Sequence, residues 1–261
     1  MQKQQTDVQV IVAGLPRTGT LSLKWALDKL GYGPSFHLMD IKNQFQSVKR
    51  SAEVVKVVDQ EERQSKLREL FNGYSAVLEQ PASTCLPDLL EIYPNAKVIL
   101  SMRSSPEVWL DSWKGLGVDV RGLQFRLLGY WAPGVLTSSD LYRAWTITAA
   151  QNHGISEPCV ELYHKHNAWV ESLVPEERLL RFNCTQGWAP LIEFLDVQKV
   201  TEGQLGEFPR ANQRVVLRSL KRAAMLYGLG AWVLMFCALY MVIERFAPLG
   251  GGLKSTYSLA A

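Results

Sequence analysis

The residues best equipped for chemistry lie at positions 14–20, Gly-Leu-Pro-Arg-Thr-Gly-Thr. An apolar run, Val8–Ala13, precedes them, and a helical pattern follows. A strand, a glycine loop and a helix start, in that order, wrap backbone N–H groups and the positive end of a helix dipole around an anion. Three chemistries use such a loop. A Walker A loop needs G-x-x-x-x-G-K-[ST]; Gly14 and Gly19 have its spacing, but Thr20 occupies the lysine position and Leu21 the magnesium-binding hydroxyl position. ATP or GTP hydrolysis would then lack its main charge stabiliser and its metal ligand. The dinucleotide fingerprint G-x-G-x-x-G keeps both glycines, with Asp40 about 20 residues on, but Pro16 replaces the middle glycine that lets backbone approach a pyrophosphate. In the third reading Arg17 places the positive charge inside the loop, while Thr18, Thr20 and Ser22 offer hydroxyls. Such a loop could hold a phosphate and an adjoining anionic group without a metal.

The surrounding elements must carry this loop. Short apolar runs at Val8–Ala13, Ala76–Leu78, Lys97–Ser101 and Arg178–Phe182 read as strands. Helical patterns cover Thr18–Leu30, Asn43–Val58, Glu61–Phe71, Leu86–Tyr93, Glu157–Leu173 and a stretch near Trp188–Leu195. Another helix starts at Ser105-Pro106-Glu107, a capping hydroxyl followed by proline and an acid in the first turn. Residues 120–150 read as mostly helical with a break near Pro133-Gly134, and Thr201–Gly206 as a loop. Strands alternating with helices give an α/β class with a mainly parallel sheet. Sites in such sheets lie at the carboxyl ends of the strands. Gly14–Gly19, Gln80–Ser83 and Met102–Ser105 all follow strands and should converge on one edge.

Here the sequence resembles the P-loop sulfotransferases. Pro16-Arg17-Thr18-Gly19-Thr20 matches their P-[KR]-[ST]-G-T loop, and the closer likeness is to a branch of short sulfotransferase-like proteins, common in fungi, that carry G-L-[GP]-R-T-G-T-x-S-L. Further matches are Gly31-Tyr32-Gly33-Pro34 with Phe36-His37-Leu38-Met39, then Tyr93–Leu100 through Arg103, Pro106, Trp109 and Ser112. His166-Asn167, Pro175–Leu180, Gly187-Trp188, Pro190-Leu191, Phe194-Leu195 and Phe208-Pro209-Arg210 also match, so the likeness covers about residues 8–212. It implies a P-loop three-layer fold and a protein of secondary metabolism. It also implies transfer of a sulfuryl group from 3′-phosphoadenosine 5′-phosphosulfate, as co-substrate, to a hydroxyl or amine of a small-molecule acceptor. By the same likeness, Arg17 would contact the sulfuryl group. Thr18, Gly19, Thr20 and Leu21 would line the 5′-phosphate through backbone and hydroxyl contacts, and Arg103 and Ser112 would hold the 3′-phosphate. His37 and Glu79 are the candidate bases, and Glu79 could instead orient Arg17. Glu79-Gln80 stands where related proteins carry Asp and Trp, which changes the expected acceptor pocket. Trp109, Trp113 and Trp131 are an aromatic supply for an apolar acceptor. Two rivals remain. An NAD(P)-linked epimerase or dehydrogenase lacks support from the missing middle glycine and from any Tyr-x-x-x-Lys pair. A non-catalytic, membrane-tethered protein could retain the same fold.

Composition sets the outer limits. The chain has 261 residues, 47% of them hydrophobic and 20% charged, which suits one packed domain with an appendage. A net charge of +3 does not suggest nucleic-acid binding. Cys85, Cys159, Cys184 and Cys237 are too scattered for a zinc site or a disulfide framework, and read as ordinary buried thiols in a reducing compartment. The polar N-terminus does not read as a signal peptide. Residues 223–243 carry no charge and would span roughly 30 Å as a helix, the thickness of a bilayer core. Arg214, Arg218, Lys221 and Arg222 precede this run, and only Arg245 and Lys254 follow it among basic residues. The positive-inside rule then puts the main domain in the cytosol. The expected organisation is a domain over 1–212, a basic linker over 213–222, a transmembrane helix over 223–243 and a tail over 244–261.

Overall fold

The strands of this chain come from short runs that are apolar at almost every position rather than at alternate ones. In the computed structural model, β1 (Val10–Val12), β2 (Ser35–Phe36), β3 (Ala76–Leu78), β4 (Lys97–Ser101) and β5 (Leu179–Phe182) form one sheet. Every pairing is parallel, and the order is β2-β3-β1-β4-β5. Ile11 in the central strand lies opposite Val77 on one side and Val98 on the other. The structure describes residues 7–38, 44–121, 123–128, 130–131, 135–155, 157–198, 202–211 and 213–246.

Successive side chains of a strand point to opposite faces, so an apolar run needs cover on both. Ile11, Ala13, Val77, Val98 and Leu100 face α3 (Gln60–Phe71), α4 (Leu86–Ile92) and α8 (Val160–Leu173). Val10, Val12, Ala76, Leu78 and Ile99 face α1 (Thr20–Leu27) and α9 (Ala189–Leu195). The result is the three-layer α/β arrangement that the alternation of strands and helices implies. A separate aromatic cluster joins α5 (Pro106–Arg121) and α7 (Val135–His153) to α8 and to Leu15 of the β1–α1 loop.

Several boundaries differ from the sequence expectation, each for a local reason. The helix expected from Thr18 starts at Thr20, because Gly19 caps it in the left-handed conformation with φ 94°. It passes at Asp28 into a wider turn that ends at Tyr32. Strand β2 has only two residues, too few for any period to show. The helix α2 (Gln44–Val55) stops before Lys56. Helix α8 starts at Val160, where the Cys159 sulfur accepts from the Leu162 N–H. The helical stretch 120–150 resolves into the end of α5, a short α6 (Leu123–Leu128) and most of α7. The expected break at Pro133-Gly134 lies outside the described residues. The expected loop at Thr201–Gly206 contains a one-turn helix, α10 (Glu202–Leu205). Residues 213–222 are helical: α11 (Gln213–Phe246) is one helix of 34 residues that takes in the basic stretch and the apolar run. The tail from 247 onward lies outside the described residues.

One close approach fixes how β1 leaves the sheet. A Cβ built on Gly14 would overlap both the side chain and the backbone oxygen of Ser101 at the end of β4. Gly14→Ala should therefore lower the unfolding free energy by about 1–3 kcal/mol, the usual cost of overpacking. Denaturant unfolding of the full chain in detergent measures this, and an unchanged midpoint would show that the loop does not press on β4.

Candidate active site

Each of the five strands ends at the same edge and delivers one piece of the site. β1 delivers the loop Gly14–Gly19, β2 delivers His37, β3 delivers Glu79, β4 delivers Arg103 and β5 delivers Cys184. The chain order places β3 on one side of β1 and β4 on the other. The edge thus opens where consecutive connections diverge, the usual place for a ligand in such sheets.

The loop is held by its carbonyl groups. His166 Nε2 donates to the Ala13 carbonyl at 2.7 Å, and the Thr18 hydroxyl donates to the Leu15 carbonyl at 2.7 Å. Trp109 Nε1 donates to the Pro16 carbonyl at 2.9 Å, and Arg103 Nε to the Arg17 carbonyl at 2.6 Å. The Cys184 thiol lies 3.6 Å from the Gly19 carbonyl, in position to donate. In a planar trans peptide the C=O and the following N–H point in opposite directions. Carbonyls drawn outward to side chains therefore turn the N–H groups of Arg17, Thr18 and Thr20 to the opposite side, as in an anion-binding nest at a helix start. Arg17 adopts φ 77°, a left-handed conformation uncommon outside glycine. Strain of this kind persists only where the surroundings impose it. The ties on either side of Arg17 supply that imposition.

The charged side chains sit around the loop. Arg17 is buried, and its Nε donates to Ser112 Oγ at 3.3 Å. The Arg103 backbone N–H donates to the Tyr163 hydroxyl at 3.0 Å, which fixes where its side chain starts. Arg17, Arg103 and Ser112, far apart in sequence, thus meet at one point.

On the other side of the loop, Glu79 and His37 meet over Thr20. The Thr20 hydroxyl donates to Glu79 Oε1 at 2.7 Å. His37 Nε2 lies 3.2 Å from the same hydroxyl oxygen and 3.5 Å from Glu79 Oε1. Thr20 has one hydroxyl proton and gives it to the carboxylate, so proton counting assigns His37 Nε2 as a donor. The His37 side chain has 0% exposure and that of Glu79 has 11%, so Glu79 is the less deeply buried of the two. Glu79 also adopts a left-handed backbone, φ 63°, as the chain turns from β3. Gln80 continues the turn, with its amide donating to Ser83 Oγ at 2.9 Å and its carbonyl oxygen accepting from Thr84 at 2.8 Å.

Comparison with known proteins fits this geometry. A family model described as a sulfotransferase domain matches residues 9–216. The chain belongs to the sulfotransferase-domain family. It is 31% identical over 202 residues to the Ava biosynthesis cluster protein M of Aspergillus versicolor, covering 72% of this chain and 76% of that protein.

Within this sulfotransferase-domain chain, some expected contacts take different forms. The Thr18 hydroxyl is spent inside the loop, on Leu15 and on Ser101 Oγ at 2.6 Å. The Thr20 hydroxyl is spent on Glu79. Leu21 stands in the first turn of α1 with its side chain buried. Trp109 and Trp113 belong to the buried aromatic cluster and do not line an open pocket. Trp131 is exposed beside α11. Asp40 and Met39 lie outside the described residues. Among the described residues no group of three or more His, Cys, Asp or Glu could hold a metal ion.

Sequence reasoning gave no role to His166, which proves to hold the strand end where the loop begins. The bond spans 153 residues of chain, so no local pattern announces it. Its other nitrogen, Nδ1, accepts from His153 Nε2 at 3.3 Å if Nε2 of His166 donates to Ala13. Burial pushes the His166 pKa down to about 4, against a smaller upward pull from the Ala13 carbonyl and with His153 adding to the fall. His153 is lowered too, by burial and then by Lys165. A histidine held neutral in the fold is protonated first in the unfolded chain. Its contribution is complete above the unfolded pKa of about 6.5 and is lost as pH falls towards 4. Stability should decline over that window with a slope approaching ~1.4 kcal/mol per pH unit for one proton. His166→Gln, which keeps a donor for Ala13, should flatten the curve in pH-dependent unfolding; an unaltered slope would contradict the assignment.

Proposed function

We propose that this chain transfers a sulfuryl group from 3′-phosphoadenosine 5′-phosphosulfate to a hydroxyl or amine of a small-molecule acceptor. The observation that carries the reading is the Thr20 bridge. One side of Thr20 is a nest of N–H groups with Arg17 in it; the other is the partly accessible carboxylate of Glu79, 2.7 Å from the Thr20 hydroxyl. An anion site and a base therefore stand one residue apart. The residues present fit a strongly anionic donor: the loop N–H groups and Arg17 suit its 5′-phosphosulfate, and Arg103 with Ser112 suits its 3′-phosphate. The donor, when bound, supplies an electrophilic sulfuryl group on a phosphate leaving group.

The chain's own residues then divide the work. Arg17 and the loop N–H groups stabilise negative charge that grows toward the leaving phosphate, from positions fixed before reaction. Glu79 takes the proton of the acceptor hydroxyl or amine at its carboxylate oxygen. His37, fully buried and donating through Nε2, holds Thr20 and thereby the carboxylate's orientation; it is a positioning residue. A role in secondary metabolism is supported by the relative, a biosynthesis cluster protein.

Residues 222–245, within α11, form a helix long and apolar enough to cross a membrane; its apolar 18-residue stretch has a mean hydropathy of 2.0 and is only 6% buried. We read it as an anchor, with the domain on the cytosolic side where the preceding arginines and lysine lie.

Two variants separate binding from chemistry. Arg103→Ala should weaken adenosine 3′,5′-bisphosphate by about tenfold to a hundredfold in isothermal titration, the worth of a charge-assisted hydrogen bond. Glu79→Gln should leave that affinity in place and lower kcat by about 10²–10⁴, the usual contribution of a positioned base. Wild-type protein that binds no bisphosphate would overturn the donor assignment. A Glu79→Gln enzyme of full activity would overturn the base.

A further inference from the structure

A stretch of α6 and the turn after it displays large apolar side chains to the outside. Leu123 is 69% exposed, Leu127 53%, Tyr130 54% and Trp131 40%. Residues 122–136 read GLQFRLLGYWAPGVL and contain one charge, Arg126. An apolar run of this length is too short to cross a bilayer. It is usually a core segment, or one that enters a membrane partway or lies along its surface. Exposure of its large side chains removes the first possibility here.

The neighbour of this stretch is α11. Trp232 Nε1 donates to the Leu127 carbonyl at 2.8 Å. The Trp232 ring lies 6.5 Å from Tyr130, 5.7 Å from Trp131 and 5.8 Å from Phe236, centroid to centroid. Leu127 stands in the last turn of α6, where carbonyls have no partner within the helix. Water satisfies such groups at a protein surface, and lipid does not. The indole of Trp232 supplies the donor that hydrocarbon would withhold.

Depth follows from helix geometry. Trp232 lies about ten residues beyond Arg222, which opens the span, so it sits roughly 15 Å along a span that must cover about 30 Å. If α11 crosses a bilayer, the part of α6 that touches Trp232 sits near mid-depth. We propose that α6 and the Tyr130-Trp131 turn form a re-entrant wedge that enters the same bilayer as α11, with lipid acyl chains as the occupant of its exposed face. The inference rests on the reading of α11 as a membrane anchor. Lipid is the chemistry that fits. The apolar face is continuous with that of α11, where Leu226, Val233, Phe236 and Leu239 are exposed. Arg222 and Arg245 also bracket the apolar span within α11 at a bilayer's separation, a length that a protein partner does not demand.

The wedge bears on the site through α5. The same helix that leads to α6 carries Trp109 and Ser112, so entry of α6 into lipid fixes how the loop faces the membrane.

The test uses full-length protein in phosphatidylcholine vesicles, with and without acyl chains brominated near the bilayer centre. Wild type, Trp131→Phe and Trp232→Phe give difference spectra that isolate each indole. The wedge predicts that both indoles lose intensity in brominated vesicles and that neither is quenched by aqueous iodide. Quenching of Trp232 without quenching of Trp131 would overturn the wedge and leave the anchor standing. Quenching of neither would overturn both. If a variant fails to fold, a spin label at Leu123→Cys in a Cys237→Ser chain reads the same question. Preferential collision with oxygen supports the wedge, and with a water-soluble nickel chelate overturns it.

Discussion

The site depends on where the carbonyls of the β1–α1 loop are sent. A tight loop presents its N–H groups to an anion only if its C=O groups are pulled the other way, since each peptide plane carries both. Here five carbonyls between Ala13 and Gly19 face side-chain donors: His166, Thr18, Trp109, Arg103 and Cys184. Four of these donors come from other parts of the chain, namely α8, α5, the end of β4 and the end of β5. The left-handed Arg17 is tolerable because the ties at Pro16 and at its own carbonyl fix the chain on both sides. The aromatic cluster around Trp109 serves the same end, because a buried indole can donate reliably only if its ring is locked.

This architecture couples ligand binding to distant elements. Arg103 holds the Arg17 carbonyl and carries charge beside the loop, so its loss would affect loop shape and field together. Gly19 has no room for a side chain, since an added Cβ would lie 2.7 Å from the Cys184 sulfur. Burial raises the Cys184 thiol to about 11, so it stays protonated as a donor, although the nearby Arg103 pulls the other way. Beyond the loop, Ser22 accepts from the Ala211 N–H at 2.9 Å, and Phe208 packs on Trp188 and Phe182. The segment before α11 is thereby tied to the helix that begins at the site.

The sequence revealed what depends on spacing and residue type. The apolar runs of β1, β3 and β4 signal a parallel sheet, which stands in the structure, and the glycines at 14 and 19 with Arg17 mark the loop at its edge. Convergence of Arg103 and Ser112 on Arg17 followed only from the family likeness. What remained hidden depends on long-range contact or on backbone conformation. Thr20 looked like a phosphate-binding hydroxyl but faces Glu79, 59 residues away. Trp109 looked like part of an acceptor pocket, but its indole is spent on Pro16. The left-handed turn at Glu79 has no sequence mark, because glutamate rarely adopts it. The basic stretch before residue 223 read as a linker because charge masks helical continuity, yet no proline or glycine interrupts residues 213–227.

On the proposed function, an anion loop built around Arg17 drives sulfuryl transfer. Its most direct measurement is transfer from sulfur-labelled 3′-phosphoadenosine 5′-phosphosulfate into a cell-extract acceptor pool, followed as labelled organic product and released adenosine 3′,5′-bisphosphate. The two should appear in equal amounts with the full chain and disappear with Arg17→Ala. Absence of both with the folded wild-type chain, or undiminished transfer by Arg17→Ala, would contradict it.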